Sequence, residues 1–455
     1  MRGRSSSKLH LTPCAASILV GLSACGDDGA GPSVPVPRGD AGAEMDAASG
    51  DDAALPDATV FDAGSSGDAT AQDDDGGPKE PFDPREDCKI VEERGELARE
   101  VTFGDEAGFA VTPGLTGFGV AYQSDNCGAI SVLPVASLGE YPEPNTMFTS
   151  CETVAQGVSL LYQGEGYRLR WIDNVTGSAE LQGMQLPSSL APPGNPERSS
   201  ITNNLVRERT PVQASFGTNP YLAWISQDGD QRSILLQGGA ESEPQTLVAG
   251  DAEYGPTRLA LAQLGDSTGA LAFVSEVKKP GVYLMPLTAA GAPRAEPLQL
   301  TAAVSVGNTV DLATRTEDGG AVVYSQNLGD RHEVRFRRLS KEGALISDEI
   351  KVASFPLQGR DASVSRLGGG YLVAFRSLLA DDPERAEVRV TFLTKEGNLQ
   401  RDSAGNVASY VIAEASASGG RLTARVSQDG QLLVGFLDTA TSQFRLIRKR
   451  LECAL

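Results

Sequence analysis

The sequence predicts an all-β fold: a seven-bladed β-propeller of four-stranded antiparallel blades, preceded by a signal peptide and a disordered acidic linker. Three observations lead to this prediction. A short apolar strand that ends in an aromatic residue recurs seven times, glycine-rich turns divide each repeat into four strands, and helical periodicity is absent over any useful length. The 455 residues are enough for one repeat array with further segments.

The aromatic repeat sets the number of blades. The residues that end the recurring strand are Tyr122, Tyr162, Trp224, Phe273, Tyr324, Phe375 and Phe436. They are separated by 40, 62, 49, 51, 51 and 61 residues, and a small residue precedes the aromatic in five copies. We expect the seven rings to occupy equivalent buried positions between blades. The longer steps are interpreted as insertions at 186–210 and 400–420.

Turn chemistry divides each repeat into strands. A hairpin turn such as Asp429-Gly430 comes before the aromatic strand, and an alternating strand such as 334–337 follows it. A second turn then leads to a weaker fourth strand. Four antiparallel strands about every 50 residues are typical of a β-propeller. Residues 88–455 form the predicted domain, which leaves about 53 residues for each blade.

The two ends of this domain complete one blade. The last unit stops after its third strand, Gln443 to Leu451, while Ile90 to Phe103 precedes the first unit without a partner. Placing the latter segment as the outer strand of blade seven closes the ring.

Four cysteines of the domain are predicted to form two disulfides. Cys88 and Cys453 lie at the two ends of the closing strand pair, and Cys127 and Cys151 lie at facing ends of the last two strands of blade one. We therefore favour Cys88–Cys453 and Cys127–Cys151 over the two other pairings. Free buried thiols are the alternative.

The first 24 residues have the order of a secretory signal. A start with three basic residues is followed by an apolar stretch at 15–22 and by small residues before Cys25. The apolar stretch is too short to span a bilayer. Leu22-Ser23-Ala24-Cys25 resembles the lipobox of bacterial lipoproteins, which implies cleavage before Cys25 and acylation of its thiol and new N-terminus. An ordinary signal with a chance cysteine is the alternative.

Residues 25–87 predict a disordered tether. They carry 17 Asp and Glu against 3 Lys and Arg, with many Ala, Gly, Ser and Pro. Such a segment buries too little apolar surface to offset the entropy of ordering it. The Asp73-Asp74-Asp75 run lacks the alternating spacing of a calcium loop, so a solvated linker is the preferred interpretation.

Charge and composition exclude several classes of function. The formal net charge of −21 argues against nucleic acid as a partner, because phosphate binding needs clustered positive charge. Only two His are present, and one lies in the signal, so a catalytic His dyad or a multi-His metal site is not expected. No CxxC motif is present either. The sequence predicts no catalytic set, no metal site and no cofactor.

The whole chain resembles bacterial surface lipoproteins with a C-terminal β-propeller at residues 88–455. This resemblance implies a protein of the cell envelope that is held at the outer membrane by its lipid anchor and faces the periplasm or the cell exterior. It carries no recognised functional motif. We expect a monomer.

For such a protein, we expect a non-enzymatic binding or scaffold module with a protein or glycan ligand. Propeller ligands usually approach the face formed by loops that enter the inner strand and leave the second one. Candidate residues there are Asp125, Asn126, Glu165, Asp228, Asp230, Asn327, Asp330, Asp381 and Asp382. The alternative is a glycosidase or lyase, which would use two carboxyl groups about 5–10 Å apart in a central pocket.

Overall fold

The computed structural model covers the chain and describes most of the predicted domain. The described residues are 88–100, 108–124, 129–136, 141–147, 156–173, 179–191, 199–204, 206–239, 242–250, 253–266, 268–304, 308–315, 319–329, 331–353, 358–368, 370–402, 404–417 and 421–453. All of them belong to one compact unit, Asp75–Leu455. The predicted signal peptide and tether, with Cys25, lie outside the described residues. So do Cys127 and Cys151.

The described strands form seven four-stranded antiparallel sheets, which confirms the predicted fold class. The first described strand is β1 (Cys88–Glu100). Blade one contains β2 (Phe109–Pro113), β3 (Phe118–Ser124), β4 (Ala129–Val135) and β5 (Asn145–Thr146). Blade two contains β6 (Gln156–Gln163), β7 (Gly166–Asp173), β8 (Glu180–Pro187) and β9 (Ser199–Ser200). Blade three contains β10 (Arg207–Phe216), β11 (Asn219–Asp228), β12 (Gln231–Gly238) and β13 (Gln245–Val248).

The remaining four blades follow the same order. Blade four contains β14 (Tyr254–Gly265), β15 (Thr268–Lys278), β16 (Gly281–Leu287) and β17 (Leu298–Thr301). Blade five contains β18 (Val310–Arg315), β19 (Gly319–Asn327), β20 (His332–Leu339) and β21 (Ile350–Lys351). Blade six contains β22 (Gln358–Leu367), β23 (Gly370–Leu378), β24 (Arg385–Thr394) and β25 (Ser409–Ser416). Blade seven contains β26 (Leu422–Val426), β27 (Gln431–Asp438) and β28 (Gln443–Cys453), with β1 as its outer strand.

The blades close into a ring around their inner strands. Each inner strand contacts the inner strand of the next blade, and β26 of blade seven contacts β2 of blade one. Within a blade the strands run outward in chain order. We call the upper face the one formed by the loops that lead into the inner strands and those that join second to third strands. The other connections form the lower face. The described part of the chain contains no helix with the length and apolar character of a membrane span.

The strand from the N-terminal end of the domain completes blade seven, as predicted. β1 pairs antiparallel with β28, and the paired residues run from Cys88 opposite Cys453 to Glu100 opposite Gln443. The strand begins two residues before the predicted one and ends three residues before it. Cys88 and Cys453 are therefore direct cross-strand neighbours, and the disulfide between them stays a prediction.

Seven apolar clusters fill the spaces between neighbouring blades, and the predicted aromatic residues lie in them. Six of the seven rings are at most 2% exposed: Tyr122, Trp224, Phe273, Tyr324, Phe375 and Phe436. The small residue before the aromatic points to the following blade. Ala121 of blade one packs with Val158 and Trp171 of blade two, and a Cβ on Gly435 would lie 2.9 Å from Phe109 Cε2. This alternation explains why large and small residues are adjacent in the repeat.

The seventh aromatic, in blade two, was predicted wrongly. Tyr162 lies in the inner strand β6, where it pairs with Tyr167, and is only half-buried. The equivalent residue is Trp171 in β7, whose side chain is 0% exposed. The steps on either side of it become 49 and 53 residues, so the spacing is more regular than predicted and the segment 186–210 is no large insertion. The prediction failed because Arg170 occupies the position that is small in five other blades.

The long step to blade seven has a structural cause. Before β25 the chain forms additional antiparallel bridges, Leu393 to Leu399 and Arg401 to Val407. The predicted insertion at 400–420 therefore contains a small hairpin extension together with the outer strand of blade six.

Candidate functional site

A central cavity of about 760 Å³ runs between the inner strands of all seven blades. Its walls alternate apolar side chains with hydroxyl, amide and guanidinium groups. In five blades the inner-strand residue that pairs with the aromatic is apolar: Phe109, Leu259, Val310, Ala362 and Leu422. These residues line the cavity just below its upper opening.

Two arginines stand one step closer to the upper opening, in equivalent positions of blades four and seven. Arg258 directly precedes Leu259 in β14 and pairs with Val274. Arg421 directly precedes Leu422, and its carbonyl accepts a hydrogen bond from Leu437 N at 3.1 Å. Both half-buried side chains line the cavity. The repeat therefore brings together two guanidinium groups that are 163 residues apart in the sequence.

The charges of these arginines influence each other. Burial lowers the pKa of Arg421 to about 10, and the positive charges of Arg258 and Arg425 add to this decrease, while Asp311 opposes it. The Arg421 guanidinium also lies 5.6 Å from the centre of the Phe109 ring. Within the described part of the chain, no hydrogen bond or ion pair involves the side chain of Arg258 or Arg421.

Asp311 is the one carboxylate among the described residues that line the cavity. Its Oδ2 atom accepts hydrogen bonds from Arg425 Nη1 at 2.9 Å, from Ser363 Oγ at 2.7 Å and from Val364 N at 3.0 Å. Arg425 Nη2 reaches Oδ1 at 3.3 Å. Because Arg425 neutralises Asp311, the charges of Arg258 and Arg421 are not balanced by an acid in the described lining.

The predicted ligand residues that the structure describes do not line this cavity. Asp125, Asn126 and Asp330 are outside the described residues. Asp228, Asp230, Asn327, Asp381 and Asp382 lie on loops that join second to third strands, and so on the predicted upper face. Two of them stabilise the loops in which they lie. Asn327 Oδ1 accepts a hydrogen bond from Gly329 N at 2.8 Å, and Asp382 Oδ1 accepts one from Glu384 N at 3.0 Å. None of the described ones lines the cavity, and their role in binding stays a prediction.

The predicted position of Glu165 is corrected. It lies in the hairpin between β6 and β7, where Gln163 pairs with Gly166. This hairpin joins the first and second strands of blade two and belongs to the lower face. The error follows from the aromatic register, because assigning Tyr162 to the second strand moved the following loop to the wrong face.

A second polar cluster lies buried between blades two and three. Glu180 accepts hydrogen bonds from Thr202 Oγ1 at 2.6 Å and from Asn204 N at 3.1 Å. Glu208 Oε1 accepts from Asn204 Nδ2 at 3.3 Å and from Ser226 Oγ at 3.4 Å. Burial is the main cause that raises the pKa of Glu208 to about 7. No group of three or more His, Cys, Asp or Glu in the described residues is arranged to hold a metal ion.

Sequence reasoning missed Arg258 and Arg421, although a signal for them exists. Each stands fifteen residues before the aromatic of its blade, Phe273 and Phe436. Arg209 has the same spacing from its aromatic, but β10 bulges after it and its side chain does not line the cavity. The spacing therefore needs the strand register before it identifies cavity residues.

The sequence matches no family model and no curated protein. Among solved structures, an ulvan lyase of a polysaccharide lyase family, bound to -[GlcA(1-4)Rha3S]-, is similar at 9% identity and a TM-score of 0.48, over 79% of this chain and 95% of that chain. The six-bladed fungal lectin of Aleuria aurantia is similar at 8% identity and a TM-score of 0.44, over 70% of this chain and 98% of that one. A protein of unknown function from Dyadobacter fermentans is similar at 12% identity and a TM-score of 0.43, over 81% and 99%. Likenesses of this degree support no argument about the ligand of this chain.

Proposed function

We propose that this protein is a binding module of the cell envelope that holds a saccharide unit in the central cavity of its propeller. The observation that carries the proposal is the cavity of about 760 Å³ among the seven inner strands. Sites for small ligands usually enclose roughly 300–1,000 Å³, whereas protein partners bind to broad surfaces. The cavity therefore favours a small ligand, or the end of a chain, over a protein surface.

The chemistry of the wall fits a ligand rich in hydroxyl groups. Six uncharged polar lining residues make no hydrogen bond through their side chains within the described part of the chain: Thr112, Thr210, Ser215, Thr314, Thr423 and Gln428. Hydroxyl and amide groups both donate and accept hydrogen bonds, as sugar hydroxyls do. Apolar neighbours such as Leu261 and Val212 would cover the less polar faces of a sugar ring.

An enzyme that works through paired carboxylates fits the cavity less well. Glycosidases of this type need two carboxyl groups about 5–10 Å apart on either side of the scissile bond. The described lining has Asp311, which is ion-paired with Arg425. We therefore favour binding without cleavage over the carboxylate-dependent alternative.

The location belongs to the same proposal and rests on the sequence. The lipobox-like stretch before Cys25 and the acidic segment 25–87 support a lipid anchor with a long tether. In this arrangement the propeller stands off the outer membrane, on its periplasmic or its outer side.

The experiment is a screen of the purified full chain against a panel of neutral and acidic saccharides. Binding is measured by thermal shift and then by isothermal titration calorimetry, and the saccharides are analysed afterwards by mass spectrometry. We expect at least one saccharide to bind at a 1:1 ratio and to be recovered intact. Recovery of shortened chains would establish the enzymatic alternative, and absence of binding across the panel would refute the proposal.

A matched pair of variants tests whether the cavity is the site. Thr423→Trp places a large ring in the cavity and should abolish binding. Ala98→Trp places the same ring on the exposed side of the outer strand of blade seven and should leave binding unchanged. Equal binding by both variants would move the site away from the cavity.

A further inference from the structure

We propose that Arg258 and Arg421 bind an oxyanion group of the ligand, a carboxylate or a sulfate, at the upper opening of the cavity. This inference rests on the proposed function and specifies its ligand as an acidic saccharide. The two side chains occupy the same register position in blades four and seven and line the same cavity. Two inner strands thus supply two guanidinium groups to one opening.

The cavity has more basic than acidic residues in its described lining. The chain carries a formal net charge of −21, with 60 Asp and Glu in total, yet the described lining of this cavity contains four arginines and one aspartate. Arg425 forms an ion pair with that aspartate, Asp311, and donates two hydrogen bonds to it. Arg366 is exposed near the lower end of its inner strand. An excess of positive charge in the cavity of an acidic protein indicates a site for an anion.

The guanidinium groups of Arg258 and Arg421 have N–H donors without an acceptor in the described part of the chain. A guanidinium group has five N–H donors, and a half-buried one loses part of its hydration without compensation unless it finds acceptors. The described residues give the side chains of Arg258 and Arg421 no hydrogen bond and no ion pair. Carboxylate and sulfate groups match the planar fork of a guanidinium and can accept two hydrogen bonds from it.

The electrostatics of Arg421 agree with this geometry. Its pKa is lowered by burial and by the neighbouring positive charges of Arg258 and Arg425. These same charges would stabilise an anion placed among them, and a bound anion would in turn raise the pKa of Arg421. The repulsion among the three guanidinium groups is therefore greatest when no anion is bound.

The acidic loops of the upper face limit the charge of the ligand. Asp228, Asp230 and Asp381 are exposed on the face through which the ligand would enter. Like charges repel over roughly 8–10 Å at physiological ionic strength, so a highly charged polyanion would meet repulsion at these loops. A saccharide unit with a single negative charge meets much less of this repulsion. We infer a uronic acid or a monosulfated sugar.

The test compares three probes that differ in one group: glucuronic acid, glucose 6-sulfate and glucose. Calorimetry with the full chain should show that one or both acidic sugars bind roughly ten to a hundred times more tightly than glucose. The advantage should shrink as NaCl is raised from about 50 to about 500 mM, because salt screens the charges. The stronger of the two acidic probes identifies the anion as carboxylate or sulfate.

Variants connect the preference to the two residues. Arg258→Gln and Arg421→Gln should each remove most of the preference for the acidic sugar, measured as the ratio of its affinity to that of glucose. Arg366→Gln, which removes the same charge near the other end of the cavity, should retain the preference. Two positions are tested, so the inference remains falsifiable if one variant does not fold.

The outcomes separate this inference from the proposed function. Equal affinities for the acidic and neutral sugars would refute the anion site but would still support saccharide binding in the cavity. An acidic preference that survives both glutamine variants would also overturn it. If no saccharide binds in the panel at all, the proposed function fails and this inference fails with it.

Discussion

Arg425 and Asp311 form a two-pronged ion pair although their inner strands belong to blades seven and five. Nη1 lies 2.9 Å from Oδ2, and Nη2 lies 3.3 Å from Oδ1. Blade six stands between them and adds hydrogen bonds from Ser363 Oγ and Val364 N to the same carboxylate. One aspartate thus connects three blades on the wall of the cavity. Among the described lining residues, no second acid is present to pair with the other arginines.

The first prediction concerns this connection. Asp311→Ala removes the acceptor of two guanidinium N–H groups, one hydroxyl and two backbone N–H groups, those of Val364 and Leu312, and should destabilise the fold by about 2–3 kcal/mol. Thermal unfolding followed by circular dichroism measures the effect. The double variant with Arg425→Ala should lose less than the sum of the single changes, because the second change no longer breaks a pair.

A surface pair serves as the control for Asp311. Arg385 and Glu414 also form an ion pair, at 3.0 Å, but their side chains are 54% and 75% exposed. Glu414→Ala should therefore change stability by less than about 1 kcal/mol. Equal losses for Asp311→Ala and Glu414→Ala would contradict the structural role of Asp311.

The fold was predictable because small and large residues alternate at equivalent positions of the repeat. Tyr122, Trp224 and Phe375 each follow an alanine, since large side chains face one neighbouring blade and small ones face the other. The register of blade two was not predicted because Arg170 stands where five other blades have a small residue. Its side chain packs against Gly183, and its guanidinium donates a hydrogen bond to the Leu169 carbonyl. The size pattern fails where a long polar side chain replaces a methyl group.

The site was less predictable than the fold. The residues predicted from the sequence lie on acidic loops, because loops carry many ligand contacts and carboxylates are common catalytic and binding groups. Arg258 and Arg421 lie 163 residues apart, and their common spacing from the aromatic identifies a shared cavity position only once the strand register is known. The sequence alone does not distinguish a charged residue on an inner strand from a charged residue on an outer strand.

The second prediction tests the corrected register of blade two. Trp171→Ala should cost about 3–5 kcal/mol, because it empties a fully buried site between blades one and two. Tyr162→Ala should cost clearly less, since that ring is half-buried at the end of an inner strand. Thermal unfolding of the two variants decides between the registers, and a larger loss for Tyr162→Ala would restore the original one.

The third prediction is a pH dependence caused by Glu208. Burial raises the pKa of this carboxyl to about 7, from 4.5 in a solvated chain. The folded state therefore holds the proton of Glu208 more tightly than the unfolded state does. The contribution of Glu208 to the free energy of unfolding decreases as pH rises from about 4.5 to about 7, and it is constant above that range. The shift corresponds to about 3 kcal/mol.

Glu208→Gln should remove this part of the pH dependence, because the amide keeps its size and does not ionise. Melting temperatures of the variant and the natural chain are compared at pH 5 and pH 8. The variant should gain relative stability at pH 8. The same change at the exposed Glu384 provides the control and should leave the pH profile as it is. Parallel profiles for the natural chain and Glu208→Gln would show that Glu208 ionises normally.

The fourth prediction is acylation at Cys25. Its basis is the Leu22-Ser23-Ala24-Cys25 stretch at the end of the apolar segment of the signal. Mass spectrometry of the membrane fraction should find a lipid-modified Cys25 as the first residue of the mature chain. Cys25→Ser should move the protein out of that fraction. Recovery of the natural chain as a water-soluble form with an unmodified Cys25 would refute the anchor.

The last prediction is a covalent clasp between Cys88 and Cys453. The register places these residues opposite each other in β1 and β28, where the two ends of the domain meet. A disulfide there would enclose a loop of about 365 residues, for which chain entropy alone gives about 5–6 kcal/mol, and measured values often fall below that. Cys453→Ser should therefore lower the melting temperature, with the earliest loss of amide-exchange protection in β1 and with blades two to five still protected. Peptide mapping without reductant tests the bond directly. A thiol at Cys88 that reacts with an alkylating reagent in the folded protein, or a bond from Cys88 to Cys127 or Cys151, would mean that the ring is closed by hydrogen bonds and packing alone.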